Sequence, residues 1–132
     1  MRGSPKWIAA SVAIASSAAV GAGDITTRDG AFTAEQAERG RRVYEEFCVS
    51  CHQVDFYATK LAAWQNASVG ELFEALSATM PSSNPGGLAS NQYFDVLAYI
   101  FSITGSPPGD RELALSNMDA VEIVVVASGD ER

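Results

Sequence analysis

The chain has few of the residues on which most catalytic and metal-binding chemistry depends. Its 132 residues include one histidine, two cysteines and three methionines. A structural zinc site normally takes four protein ligands. Cys48, Cys51 and His52 supply three, with no further cysteine or histidine to complete the set. Basic charge is also scarce, since nine lysines and arginines stand against sixteen acidic residues, for a net charge of −7. That balance argues against nucleic acid or anionic membrane as a main partner. It permits docking on a basic protein surface. Glycine occurs in "GDITTRDG" and "SNPGG", but neither stretch has a nucleotide-binding framework around it.

Long apolar runs are missing too. The opening "MRGSPKWIAASVAIASSAAVGAGD" carries Arg2 and Lys6 and then an uncharged, alanine-rich stretch over 7–23. Such a stretch is shorter and less apolar than the roughly 20 residues a spanning helix needs. Its layout is that of a secretory signal peptide over 1–22, with small residues at Ala19 and Ala22 for cleavage. Losing Arg2 and Lys6 removes two positive charges from −7 and leaves −9. Export to the periplasm, without stable membrane insertion, is the expectation.

What remains reads as helix. A polar lead-in over 23–32 precedes "TAEQAERGRRVYEEF", where Thr33 and Gln36 stand at capping-box spacing. Ala37, Val43, Tyr44 and Phe47 share a face there, interrupted by Gly40. Glycine costs about 1 kcal/mol against alanine inside a helix, so it is either tolerated or needed for a close backbone approach. One or two short helical turns are expected over 53–67. "SVGELFEALSAT" follows with a Ser68–Glu71 capping box and Leu72, Phe73 and Leu76 turned inward. Pro81 ends it. A third helix runs over 91–103 with Ser90 as N-cap, Gly105 as stop, and Tyr93, Val96, Leu97 and Ile100 as its stripe. The 111–132 extension ends in the valine-rich run 121–127; one short isolated strand cannot satisfy itself, so an extended arm packed on the helices, with a frayed end, is expected. Three modest helices enclose little apolar volume, and domains of this size often need a staple or a cofactor.

"CVSCH", residues 48–52, is the attachment pattern of c-type haem. Two thiols three positions apart can bond the two haem vinyl groups, and the adjacent imidazole can then reach the iron. The porphyrin would also supply the missing core. The rivals are weaker. A thioredoxin-like pair wants a strand before its active-site helix, and here the preceding segment is helical. A plain disulfide across two intervening residues closes a very short loop, and Cys51 next to His52 strains tetrahedral zinc geometry.

A second axial ligand comes from the methionines. Met1 leaves with the signal. Met80 lies in the irregular "TMPSSNPGG", whose prolines can hold a sulfur in place, whereas Met118 lies in a polar tail without a comparable frame. Met80 is therefore the expected distal ligand, with core packing as its other use.

The order of "GRRVYEEFCVSCH", a helix ending in "MP", "NPGGL" and "YFDVLAYI" resembles the class I cytochrome c family. It is similar in particular to the small cytochromes associated with quinoprotein (PQQ-type) dehydrogenases, over about 34–110. The resemblance implies an all-α domain over 33–110 wrapped around one covalent haem c. Cys48 and Cys51 would carry thioethers, His52 would be the proximal ligand and Met80 the distal one. Gly40 would meet the last helix near Tyr93 or Leu97. Trp64 falls near a pocket-lining tryptophan of the family, with core packing as the equal alternative. Gln53 stands where the family commonly has glycine after the haem histidine, and segment 52–80 lacks the usual glycine-and-proline loop.

The function so implied is one-electron transfer between periplasmic redox proteins, not catalysis. The donor would be a quinoprotein dehydrogenase and the acceptor another cytochrome or a terminal oxidase. A Ser-His-Asp site has no free histidine once His52 is committed. The alternatives are a haem-based catalytic or gas-sensing module with a labile Met80, and an electron-accepting subunit that works only inside a dehydrogenase or oxidase complex.

Overall fold

The computed structural model describes residues 25–126 together with Gly3, Ser4 and Ala13. The expected signal segment 1–22 and the expected frayed end lie outside the described residues, apart from those three. The described chain is a small, mostly helical domain with one minor pair of strands. None of its helices is long and apolar enough to cross a membrane.

Helix α1, Ala34–Phe47, starts at Thr33, whose hydroxyl accepts from the Gln36 amide at 3.0 Å. The other half of the expected capping box does not form. Gln36 is buried, and its side chain pairs with the backbone of Leu113 instead, donating to the carbonyl and accepting from the amide, each at 2.9 Å. A buried carboxamide needs both a donor and an acceptor. One extended backbone residue offers both, whereas the cap offers only a donor.

The expected turns over 53–67 are α2, Asp55–Lys60, followed directly by a 3₁₀ turn, Leu61–Trp64. Helix α3, Val69–Thr79, has the full Ser68–Glu71 box. Helix α4, Ser90–Ile103, begins one residue earlier than expected, so the cap is Ala89 and not Ser90. Alanine has no capping oxygen, and the Gln92 side chain closes the end by accepting from the Ala89 amide at 2.9 Å. The other end stops as expected. Gly105 adopts φ +99°, and the amides of Gly105 and Ser106 donate to Ser102 and Phe101, the Schellman arrangement.

Helices α1 and α4 form the most extensive helix pair. Gly40 sits at their crossing against Asp95 and Tyr99, two residues along the helix from the expected Tyr93 or Leu97. Helix α4 is buried nearly all round. Its expected stripe of Tyr93, Val96, Leu97 and Ile100 is joined by Phe94, Ala98 and Phe101.

The valine-rich run is not isolated. Strand β1, Ile25–Thr26, pairs in parallel with strand β2, Val121–Glu122, with Ile25 opposite Val121. Thr27 is fully buried and extends the pairing through its hydroxyl, which donates to the Val124 carbonyl and accepts from the Val124 amide. Ala31, Phe32, Leu113, Val121 and Ile123 are buried in the same core as Phe94, Leu97 and Phe101. The lead-in is thus polar in composition but apolar where it packs.

Candidate functional site

Helix α1 ends at Phe47, and Cys48 is its C-cap, donating its amide to the Tyr44 carbonyl at 2.9 Å. The Cys48 carbonyl then accepts from Cys51 at 3.2 Å and from His52 at 3.0 Å. The motif is therefore closed into one further turn about a single oxygen. An i, i+3, i+4 spacing is what such a turn gathers on one side. Both thiols are free, Cys48 half-buried and Cys51 exposed. Burial raises the Cys48 thiol above its usual range, so it is protonated at neutral pH.

His52 sits in an aromatic frame drawn from two helices. Its ring lies 4.7 Å from Phe56 and 6.2 Å from Tyr57, both on α2. Its backbone carbonyl accepts a hydrogen bond from the hydroxyl of Tyr44 on α1. Tyr44 is itself held 5.9 Å from Tyr57 and 5.2 Å from Tyr99 on α4. Burial raises the pKa of Tyr44 and, more strongly, of Tyr57, so both phenols stay neutral.

Around this turn large apolar side chains are exposed among Glu45, Glu46, Ser50, Gln53 and Asp55. Phe47 is 39% exposed, Val49 36%, Val54 43% and Phe56 39%. Four large exposed apolar side chains over residues 47–56, the stretch that holds both thiols, are suited to an apolar group held over the turn.

Met80 is the C-cap of α3, its amide donating to Leu76 at 2.8 Å and its side chain half-buried. Its carbonyl accepts from the Tyr93 hydroxyl at 2.7 Å. Trp64 closes the 3₁₀ turn and is half-buried against the hydrophobic core. Met118 differs from expectation, since it opens a 3₁₀ turn, Met118–Ala120, and packs on the core beside Gly70. It has a frame after all, supplied by contacts that are remote in sequence.

The structure thus brings Cys48, Cys51 and His52 together in one turn. Among the described residues no hydrogen bond joins Met80 or Trp64 to that turn. Also among the described residues, no three histidine, cysteine or acidic side chains converge to hold a metal ion. A groove of about 260 Å³ lies elsewhere, lined by Phe32, Ala37, Arg41, Tyr99 and Pro108.

Tyr44 and Tyr93 lie on core-facing stripes, and the roles of their hydroxyls are not visible in that spacing. The available signal was general, since a buried tyrosine usually finds a partner for its O–H. No family model, curated protein or solved structure matches the chain. The turn formed by Cys48, Cys51 and His52 is consistent with a haem c attachment motif.

Proposed function

We propose that this chain is a class I c-type cytochrome, exported to the periplasm, that carries single electrons between redox proteins. One observation carries the reading: the CVSCH segment is closed into a single turn at the end of α1, with the His52 ring framed by Phe56 and Tyr57. Cys48 and Cys51 hold one haem c through thioethers, and His52 is the proximal iron ligand. Met80 would be the distal ligand, a reading supported by the end of α3 and the Tyr93 hydroxyl, which fix its backbone. When bound, the haem supplies a ferric–ferrous couple.

The protein's own part is to bind and to orient. Tyr44 holds the backbone of His52, and the α2 aromatics limit the imidazole's tilt. Apolar side chains at Phe47, Val49, Val54 and Phe56 exclude water from the attachment turn once they are covered. Two protein ligands leave no iron position for a substrate, which favours a carrier over an enzyme. A quinoprotein dehydrogenase as donor, and a cytochrome or terminal oxidase as acceptor, fit the acidic charge if they present basic surfaces.

The test is to express the exported protein with cytochrome c maturation machinery and record ferric and ferrous spectra. A covalent, low-spin haem whose far-red thioether band vanishes in Met80→Ala and persists in Met118→Ala is the expected result. A high-spin haem that readily binds carbon monoxide would move the function to gas or peroxide chemistry. Absence of covalent haem would overturn the reading altogether.

A further inference from the structure

The segment 80–88, "MPSSNPGGL", leaves α3 and enters the approach to α4, and most of it lies on the surface. Its internal structure is two tight turns, Asn84 to Pro81 and Gly87 to Asn84, each closed at 2.9 Å. Among the described residues, hydrogen bonds formed by 81–87 are confined to the segment itself. Its two ends, however, meet at one atom. The Tyr93 hydroxyl donates to the Met80 carbonyl at 2.7 Å and accepts from the Leu88 amide at a longer 3.5 Å. A phenol can do both at once.

That atom is rigidly placed. Tyr93 is 3% exposed, its ring packs edge-on against Phe73 at 6.1 Å, and Phe73 stacks on Phe94 at 4.5 Å. We propose that the Tyr93 hydroxyl is a latch that closes segment 80–88 across its ends and so sets how readily Met80 leaves its place. Tyr93 is thus a positioning residue that acts on the methionine's backbone, not on its sulfur. Its role in ligation rests on Met80 binding iron, as proposed above. The closure of the loop does not. If Met80 is the distal ligand, the latch decides whether the iron is open to exogenous ligands, and it does so from the helix that also crosses α1.

The test compares the matured wild-type protein with Tyr93→Phe, which keeps the ring and its packing and removes only the hydroxyl. Two rates are measured: amide hydrogen exchange at Asn84, Gly87 and Leu88, and imidazole binding to the ferric protein. Both should rise roughly threefold to tenfold, the effect of one lost hydrogen bond, while α4 amides such as Leu97 and Ile100 keep their protection. Unchanged exchange in the loop overturns the latch, whatever the iron does. Exchange that rises equally along α4 also overturns it, since the hydroxyl would then serve general packing. If Met80→Ala leaves the far-red band intact, the ligand assignment fails and the latch's role in ligation fails with it, while the loop exchange still reports separately on closure.

Discussion

Gly40 of α1 lies directly on the backbone of Asp95 in α4, so close that a Cβ there would overlap the Asp95 carbonyl. Beside it, Arg39 forks onto the largely buried Asp95 carboxylate at 3.2 Å to each oxygen and reaches Glu112 at 2.8 Å. The crossing therefore fixes α1 to α4 by backbone contact and to the extension by an ion pair. Cys48 and the attachment turn follow directly from α1, and Tyr93 lies on α4. Both candidate ligand segments are thus referred to one rigid joint.

Gly40→Ala should separate that joint. The new methyl group meets backbone, which cannot swing aside as a side chain can. Overpacking of this kind costs about 1–3 kcal/mol, and a backbone clash belongs at the upper end. Alanine's better helix propensity returns at most about 1 kcal/mol. A denaturant titration should show a clear loss of midpoint with little change in slope. An unchanged midpoint would mean that α1 and α4 cross less closely than described.

The extension should prove structural. Ile123 is fully buried in the core, and its amide and carbonyl pair with Ala67 and Asn66 at 2.8 and 2.9 Å. Ile123→Ala should cost about 2–5 kcal/mol. Truncation after Asp110 removes Leu113, Val121 and Ile123 and strands the Gln36 carboxamide, so it should abolish cooperative melting. A truncated chain that melts like the whole one would make the tail an appendage.

The tyrosine pair gives stability a pH dependence with a definite sign. An unfolded tyrosine titrates near pH 10, whereas burial raises Tyr44 and Tyr57 above that in the folded chain. The folded state then holds its protons longer. Its stability is complete below about pH 10 and is lost as pH rises through the interval up to the folded values. The melting temperature should fall above pH 10, and Tyr57→Phe should flatten that fall. A flat profile in the wild-type protein would contradict the burial of these phenols.

Local signals carried most of what could be read from the chain. The Ser68–Glu71 box, the Gly105 stop and the stripe of α4 depend on neighbours within one or two turns, and all are present. The misreadings share a cause. Gln36 has a capping partner three residues away in sequence, but its side chain pairs with Leu113, 77 residues on. The valine-rich run finds its strand partner in Ile25–Thr26, at the other end of the described chain, where no local pattern points to it. Met118 has polar neighbours in sequence but packs against the hydrophobic core beside Gly70. Spacing shows which groups could meet locally, while burial in a remote contact decides which of them do. The CVSCH motif was legible because its chemistry and its turn are both local. The Tyr93 hydroxyl was not, because it joins the ends of a loop from a different helix.

Covalent attachment makes the most direct prediction about the motif. Cys48 and Cys51 are separate thiols at the two ends of one turn, one half-buried and one exposed. If each holds its own thioether, Cys48→Ser and Cys51→Ser should each retain haem through denaturing electrophoresis by the remaining bond. The double variant should release it. Serine keeps the size and the turn hydrogen bonds, which are made by backbone atoms, so loss of haem reports on sulfur and not on folding. A dithiol–disulfide pair behaves differently. Its wild-type mass would carry no haem and would fall by two hydrogens on oxidation, and either single substitution would abolish that change. The turn about the Cys48 carbonyl accommodates both chemistries, and the single-cysteine variants separate them because a thioether needs one thiol whereas a disulfide needs both.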